Sequence, residues 1–343
     1  MAPSIIAVTM GDPGGIGPEV IAKALRKIRP SGRFRFVIFG TPQVFKQLKT
    51  RLKLGLRLKP VTEADFTALK PGDVGLVDIS YRAKAILEVA GVPAAEAANL
   101  PYKIGSLSKV NAAMTLAALE RAAACAMGGQ VCAIATAPLN KEALRLLDPH
   151  FKGHTEYLAQ AAGAKEVAMT FVSPRLHVTL VTIHVALRNV SGLLTPELIE
   201  SKILLTDAFH KKYFKKARPR IAVCALNPHG RETGDEEERV IVPAIESAKR
   251  RGVLALGPFP SDALFYHAWH GEYDAVVSMY HDQGLGPFKM MAFHDGVNVT
   301  AGLPFVRTSP DHGTAFDIAW KGKANPASMT NSIRLACRFS SAR

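Results

Sequence analysis

An α/β fold with a mainly parallel sheet is the architecture this sequence predicts, and three observations predict it. Short apolar runs alternate with helical patterns along the chain, the signature of strand–helix–strand units. Several of these runs open into a glycine-rich or polar turn that leads to a helix, as where GDPGGIGPE follows SIIAVTM and where APLNK follows CAIAT. The length, 343 residues, exceeds one minimal core and suits two lobes. Neither an internal repeat nor a low-complexity linker separates them, so the lobes are expected to share a continuous sheet.

In chain order, Ser4 to Met10 reads as a strand that runs through GDPGGIGPE into the helix EVIAKALRKI. FRFVIFG and VGLVDI are two more strands, and a long helix with alanine and leucine at helical spacing follows over roughly 106–126. CAIATAPLNKEAL repeats the strand, turn and helix, with Pro138, Asn140 and Lys141 at the strand's carboxyl end. HVTLVTIHVAL, IAVCALNPHG and DAVVSMYHD supply further strands. After the last of these, Gly284, Gly286 and Pro287 are expected to break any regular element. The stretch 308–326 reads as a polar loop feeding a short helix.

Composition narrows the function classes. Hydrophobic residues at 48% and charged residues at 21% leave little room for long disorder. The net charge is +14, and many cations lie between Lys23 and Lys59, among them Arg26, Arg35, Lys46 and Lys49. Aromatics are sparse there and no nucleic-acid motif accompanies the charge, so a solvated basic face with mild anion steering is expected, not a nucleic-acid surface. Cys125, Cys132, Cys224 and Cys337 form no CxxC pair and read as reduced thiols, which together with the lack of a signal-like or membrane-spanning segment points to a cytoplasmic protein without a membrane partner.

The chemistry is expected at the carboxyl ends of the strands, where open α/β sheets hold ligands. His281 and Asp282 follow an apolar run, and Lys289, Asn298 and Arg307 are spaced through what comes next. Acid, imidazole, amide and two cations suit an anionic, oxygen-rich small molecule; a polar surface loop is the plainer alternative. His184 closes one apolar strand, LVTIH, and His229 and His281 follow two others, so the three can meet on one rim and hold zinc or a similar divalent ion. Singly, each reads as well as a capped or solvated side chain. His154, with Thr155 beside it, lies in a loop after Pro149 and can donate to a phosphate or a hydroxyl. His312, Gly313, Thr314, Ala315 and Asp317 form a loop able to wrap an adenine and its ribose, or an ordinary loop with an aspartate cap. GDPGGIGPE, with Gly11 and Asp12, allows backbone amides to approach a polar ligand without matching the Rossmann or Walker spacing.

Taken together, TMGDPGGIGPE, TAPLNK, GHTE, CALNPH, YHDQG and GLPFVRTSPDHGTAFDIA resemble the 4-hydroxythreonine-4-phosphate dehydrogenase family of pyridoxal phosphate biosynthesis, over nearly the whole chain. The resemblance implies an isocitrate/isopropylmalate dehydrogenase-like fold of two α/β/α lobes sharing a mostly parallel sheet, with the site in the cleft between them. It implies a cofactor-side lobe of residues 1–130 and 295–343, and a lobe of residues 131–294 for metal, substrate and dimerisation. It implies an NAD-dependent oxidation, with decarboxylation, of 4-phosphooxy-L-threonine to 3-amino-2-oxopropyl phosphate. Relatives with the same site act instead on D-threonate or D-erythronate 4-phosphate or on an aromatic cis-dihydrodiol dicarboxylate. The divalent ion, zinc above magnesium, cobalt or manganese, falls to His184, His229 and His281, with His281 supplied by the partner of a homodimer. Substrate contacts fall to His154, Thr155, Lys289, Asn298 and Arg307, and catalytic roles to Asp262 and Lys289. NAD falls to Gly11, Asp12, His312, Gly313, Thr314, Ala315, Asp317 and Asn325. Two positions depart from the family pattern, Trp320 and Asn111, each standing where glycine is common.

Overall fold

Parallel pairing organises the chain. The computed structural model describes residues 3–28, 32–230 and 232–342, and the chain divides into two compact units, 1–163 with 304–341 and 164–303 with 342–343.

The first unit runs β1 (Ser4–Thr9), α1 (Gly17–Lys27), β2 (Phe34–Gly40), α2 (Pro42–Leu52), β3 (Leu58–Pro60), β4 (Val74–Asp78), α3 (Ser80–Val89), α4 (Ala94–Ala97), α5 (Lys109–Met127), β5 (Ala133–Thr136), α6 (Lys141–Arg145) and α7 (His154–Ala161). The second runs β6 (Ala168–Val172), β7 (His177–Leu180), α8 (Val190–Leu193), α9 (Pro196–Phe214), β8 (Ile221–Cys224), α10 (Val242–Arg250), β9 (Ala255–Phe259), α11 (Ser261–Trp269), β10 (Ala275–Ser278), α12 (His281–Ala292) and β11 (Val297–Ala301). The chain then returns to the first unit with β12 (Val306–Pro310) and α13 (Ala327–Ser340).

Strands of the first unit lie in the order β3-β4-β2-β1-β5-β12, and each of these pairings is parallel. In the second unit the order is β11-β6-β7-β10-β8-β9, with β11–β6 and β6–β7 antiparallel and the rest parallel. The pairing also accounts for the unit boundaries, which differ from those expected. Strand β5 pairs with β1 and β12, which brings residues 131–163 into the first unit. Strand β11 pairs with β6, which brings 295–303 into the second.

The side-chain period of two is visible in the second unit's core. Ile221 and Val223 of β8 pack with Ile199 and Ile203 of α9 and Ile245 of α10. Their neighbours Ala222 and Cys224 face the opposite way, with Leu264 of α11 and Phe288 of α12. Helices on both faces explain why such strands are continuous apolar runs rather than alternating ones. All four cysteines are free. No helix among the described residues is long and apolar enough to cross a membrane.

Three local expectations are corrected. The first is α12, which runs through Gly284, Gly286 and Pro287 where a break was expected. Gly284 serves packing. A Cβ there would lie 2.9 Å from Leu180 Cδ2, Ser278 Oγ and Val178 Cγ1, so the helix rests its backbone directly on β7 and β10. Second, the strand read as running to His184 ends at Leu180. Third, the segment after Ala315 is a series of turns, and helix begins only at Ala327.

This packing predicts opposite signs for two alanine substitutions in one helix. Gly284→Ala should cost about 1–3 kcal/mol through overpacking. Gly286→Ala, where a Cβ meets nothing within 4 Å, should stabilise by up to about 1 kcal/mol. Urea unfolding of the two variants measures both; equal destabilisation would contradict the packing of α12.

Candidate functional site

Carboxyl ends of parallel neighbours collect on one edge, and in the first unit that edge carries two clusters. The loop after β1 lies against the loop after β5: Asp12 N donates to Pro138 O at 2.9 Å. Gly11 has φ +69, and a Cβ would collide with that same carbonyl oxygen, so glycine is required there. Asp12 is 1% exposed. Its Oδ1 accepts from Gly14 N at 2.8 Å and Asn111 Nδ2 at 3.1 Å, while its Oδ2 is buried and takes no hydrogen bond among the described residues. Burial pushes its pKa up to about 6 against the opposing pull of those two donors. Asn111 also accepts from Lys103 N and donates to Lys103 O. Its place in α5 is therefore that of a bracket on the glycine-rich loop.

The 312–325 segment packs on this loop. Thr314 O accepts from Ile16 N at 2.9 Å, and Trp320 Nε1 donates to Pro13 O at 2.8 Å. Trp320 is buried against Tyr102, with ring centroids 5.7 Å apart, and has φ +58. A left-handed backbone favours glycine, in keeping with the glycine that the family resemblance leads one to expect there. Here the buried indole supports the loop from within and offers no face for stacking. Gly313 and Asp317 are exposed, His312 is half-buried, and a side chain at Gly313 would meet nothing within 4 Å. Asn325 is exposed and accepts from Ala327 N at the start of α13.

The second cluster is cationic. Arg307 of β12 is 2% exposed, and its Nε and Nη2 donate to Thr136 Oγ1, on β5, at 3.1 and 2.9 Å. Burial lowers its pKa to about 10, with Glu156 acting against the shift, so it remains a cation at neutral pH. His154 and the buried Thr155 open α7 rather than lying in a loop. Gly153 before them has φ +151, and a Cβ there would lie 3.0 Å from Glu156 Oε2 and 3.1 Å from Lys141 Cε. Burial, then the Arg307 and Lys141 cations, hold the His154 pKa well below the usual imidazole value, which leaves a neutral ring. Lys141 was visible in the sequence only as one member of a turn; its place beside His154 comes from Gly153, and Thr136 was not singled out.

In the second unit the three histidines follow β7, β10 and β8, which are parallel neighbours in that order. Val181 N donates to Ser278 O and Thr182 N and Oγ1 to Met279 O. Those bonds carry the pairing beyond the strands, and the rings of His184 and His281 lie 5.7 Å apart. Asp282 Oδ1 accepts from His281 Nδ1 at 2.7 Å, which leaves Nε2 with the lone pair, the arrangement a ligating histidine requires. His229 is exposed at φ +55 in a turn whose base is fixed by Glu237, which accepts from Leu226 N and Asn227 N at 2.8 Å. Among the described residues no group of three or more His, Cys, Asp or Glu is close enough to hold a metal ion. A single chain thus brings together two of the three imidazoles.

Asn298, on β11 opposite Phe171, has a buried Oδ1 with no hydrogen bond among the described residues. Lys289 is half-buried on α12. Asp262 is exposed near the start of α11, accepts from Ala263 N, and lines a cleft of about 460 Å³ with Phe265, Trp269 and Met290.

The electrostatics of Asp12 give a prediction with a definite sign. Its folded pKa of about 6 lies above the ordinary carboxylate value, so the native state binds the proton more tightly than the unfolded chain. Stability through this group is then greatest in acid and falls as pH rises from about 4 to 6, by about 3 kcal/mol. Asp12→Asn keeps the acceptor for Gly14 and should remove that dependence, raising the urea midpoint at pH 7 and leaving it nearly unchanged at pH 4. A midpoint that drops at pH 7 would contradict the assignment.

Comparison with known proteins places this geometry. Residues 33–336 match the family described as pyridoxal phosphate biosynthetic protein PdxA. The chain is 42% identical to D-threonate 4-phosphate dehydrogenase of Salmonella typhimurium, over 99% of this chain and 100% of that one. It is 42% identical to 4-hydroxythreonine-4-phosphate dehydrogenase of Geobacter metallireducens, over 97% of this chain and 95% of that one. The solved 4-hydroxythreonine-4-phosphate dehydrogenase of Klebsiella pneumoniae is similar with a TM-score of 0.83 and 39% identity, over 98% of this chain and 99% of that one. The chain belongs to the pyridoxal phosphate biosynthetic protein PdxA family and is a dehydrogenase of that family.

Proposed function

We propose that this chain catalyses the NAD-dependent oxidation, with decarboxylation, of 4-phosphooxy-L-threonine to 3-amino-2-oxopropyl phosphate. The observation that carries this reading is the cluster of Arg307, Lys141 and neutral His154. Two cations act there against one carboxylate, Glu156, and a bound phosphate would offset the excess. Arg307 would hold phosphate oxygens with its guanidinium while Thr136 fixes the plane of that group, and Lys141 would add a point charge. His154, neutral, would donate a single hydrogen bond. Thr155, Lys289 and Asn298 are proposed as further substrate contacts, and Asp262 and Lys289 as the groups that move protons.

The residues offered to the cofactor fit a dinucleotide in part: Gly313 is open to close approach, and the exposed Asp317 can accept from a ribose hydroxyl or an adenine amino group. His312, Thr314, Ala315 and Asn325 would complete the adenosine half, with Gly11 and Asp12 nearer the nicotinamide. A divalent ion, with zinc the best match for imidazole donors, would be held by His184, His229 and His281 in a homodimer whose second copy supplies His281. When bound, NAD and the ion supply the hydride acceptor and the polarisation of the reacting hydroxyl.

A second reading, oxidation of D-threonate 4-phosphate, is favoured by the relative of that name that matches end to end. Both substrates carry the phosphate that the Arg307 cluster would bind, and they differ in an amino or hydroxyl group beside the carboxylate. Reduction of NAD, followed by absorbance with each of the two compounds, tests the proposal and separates the readings; no NADH from either compound overturns both. With the better substrate, Lys141→Met should raise KM on the order of tenfold or more, as expected for one charged hydrogen bond, and leave kcat within a few-fold. An unchanged KM would remove Lys141 from the phosphate site.

A further inference from the structure

An ion pair on α1 clasps the backbone of the 312–325 segment. Glu19 is 1% exposed. Its Oε1 accepts from Ala324 N at 2.9 Å and its Oε2 from Gly322 N at 3.2 Å. One helical turn on, Lys23 Nζ pairs with Glu19 at 2.6 Å and donates to Gly322 O and Ala324 O, both at 2.8 Å. The carboxylate takes two amides and the ammonium gives to two carbonyls of the same two residues, Gly322 and Ala324. Lys23 therefore leaves the solvated basic face to which composition assigned it.

The clasped segment is one that would not hold its shape alone. Ala315, Trp320 and Gly322 all have left-handed backbones, which is unfavourable for the first two. Few of its residues are in regular structure. What holds it is a row of bonds to the loop and helix that follow β1: Ile16 N to Thr314 O, Trp320 Nε1 to Pro13 O, and then the Glu19–Lys23 clasp. Hydrogen bonds to charged groups are the strong ones in such a row.

We propose that Glu19 and Lys23 are positioning residues for the dinucleotide, ordering the adenosine-binding segment before the cofactor arrives. The inference rests on the reading that 312–325 holds the adenosine. Neither residue need touch the cofactor. A segment already ordered spares the cofactor the cost of ordering it, so the clasp acts on cofactor affinity and not on the chemical step.

The test uses the full-length protein and NAD itself. Calorimetry should show NAD Kd rising on the order of tenfold in Lys23→Met, the loss expected for one charged hydrogen-bond set, with a smaller rise in Glu19→Gln and partial recovery in Lys23→Arg. KM for the phosphorylated substrate and kcat at saturating NAD should stay within twofold of the parent, roughly the scatter of such comparisons. Without cofactor, trypsin should nick Lys23→Met after the exposed Lys321 and Lys323 faster than the parent, and added NAD should slow the cut. Unchanged NAD Kd in both Lys23→Met and Glu19→Gln overturns the proposal. So does a parallel rise in both KM values, which a merely structural role would produce. Asp317→Asn and His312→Ala separate this from the reading beneath it. If they weaken NAD binding while the clasp variants do not, the adenosine site stands and the clasp fails. If none of the four variants weakens it, the cofactor lies elsewhere and both fail. Should Lys23→Met not fold, Glu19→Gln and Lys23→Arg carry the same comparison.

Discussion

Parallel strand pairing is the constraint on which the candidate site depends. A strand parallel to its neighbours must deliver the residues that follow it to the same edge as theirs. The β7, β10 and β8 run therefore presents His184, His281 and His229 beyond neighbouring strand ends, although 97 residues separate His184 from His281. The same rule sets Gly11 and Asp12 after β1 beside Pro138 after β5. Covering both faces with helices then buries the strands, and the polar chemistry has no other place to go than the edge. The backbone bonds of Thr182 to Met279 extend this order past the last ladder residues, far enough to bring two imidazoles together.

Burying charge is expensive, and two buried groups of the first unit meet that cost with opposite outcomes. Arg307 keeps its proton despite burial because a guanidinium's affinity for it starts so high. The result is a fixed cation held in plane by Thr136. Asp12 starts much lower and yields, its pKa rising to about 6. One group thus keeps its charge at neutral pH, and the other is poised to change charge near neutrality. His154 is kept neutral first by its burial and then by the Arg307 and Lys141 cations. That makes it a directional donor and not a third charge.

Much of this was legible in the sequence. The strand–turn–helix rhythm, the three histidines after apolar runs and the two glycine-rich or polar turns all follow from periodicity and turn chemistry. Misreadings share a physical origin. Gly284, Gly286 and Pro287 look like helix breakers because local propensity counts against them, yet tertiary packing on β7 and β10 makes Gly284 necessary within a helix. His184 reads as the last residue of a strand because an apolar run continues past the last ladder residue, Leu180. Trp320 reads only as a departure from the family pattern, since nothing local shows that its indole turns inward to Pro13. Lys141 and Thr136 gain their importance from Gly153 and β12, contacts distant in sequence. Lys23 read as one more surface cation until Gly322 and Ala324 were seen beside it.

The central claim is that the Arg307 cluster selects a phosphate. Its most direct test is the ratio of kcat/KM for the phosphorylated substrate to that for the same compound without phosphate, measured with NAD saturating. At least two charge-assisted hydrogen bonds would be lost with the phosphate, so the ratio should exceed about a hundredfold, and it should collapse toward one in Arg307→Met. Equal kcat/KM for the two compounds in the parent protein would contradict the account.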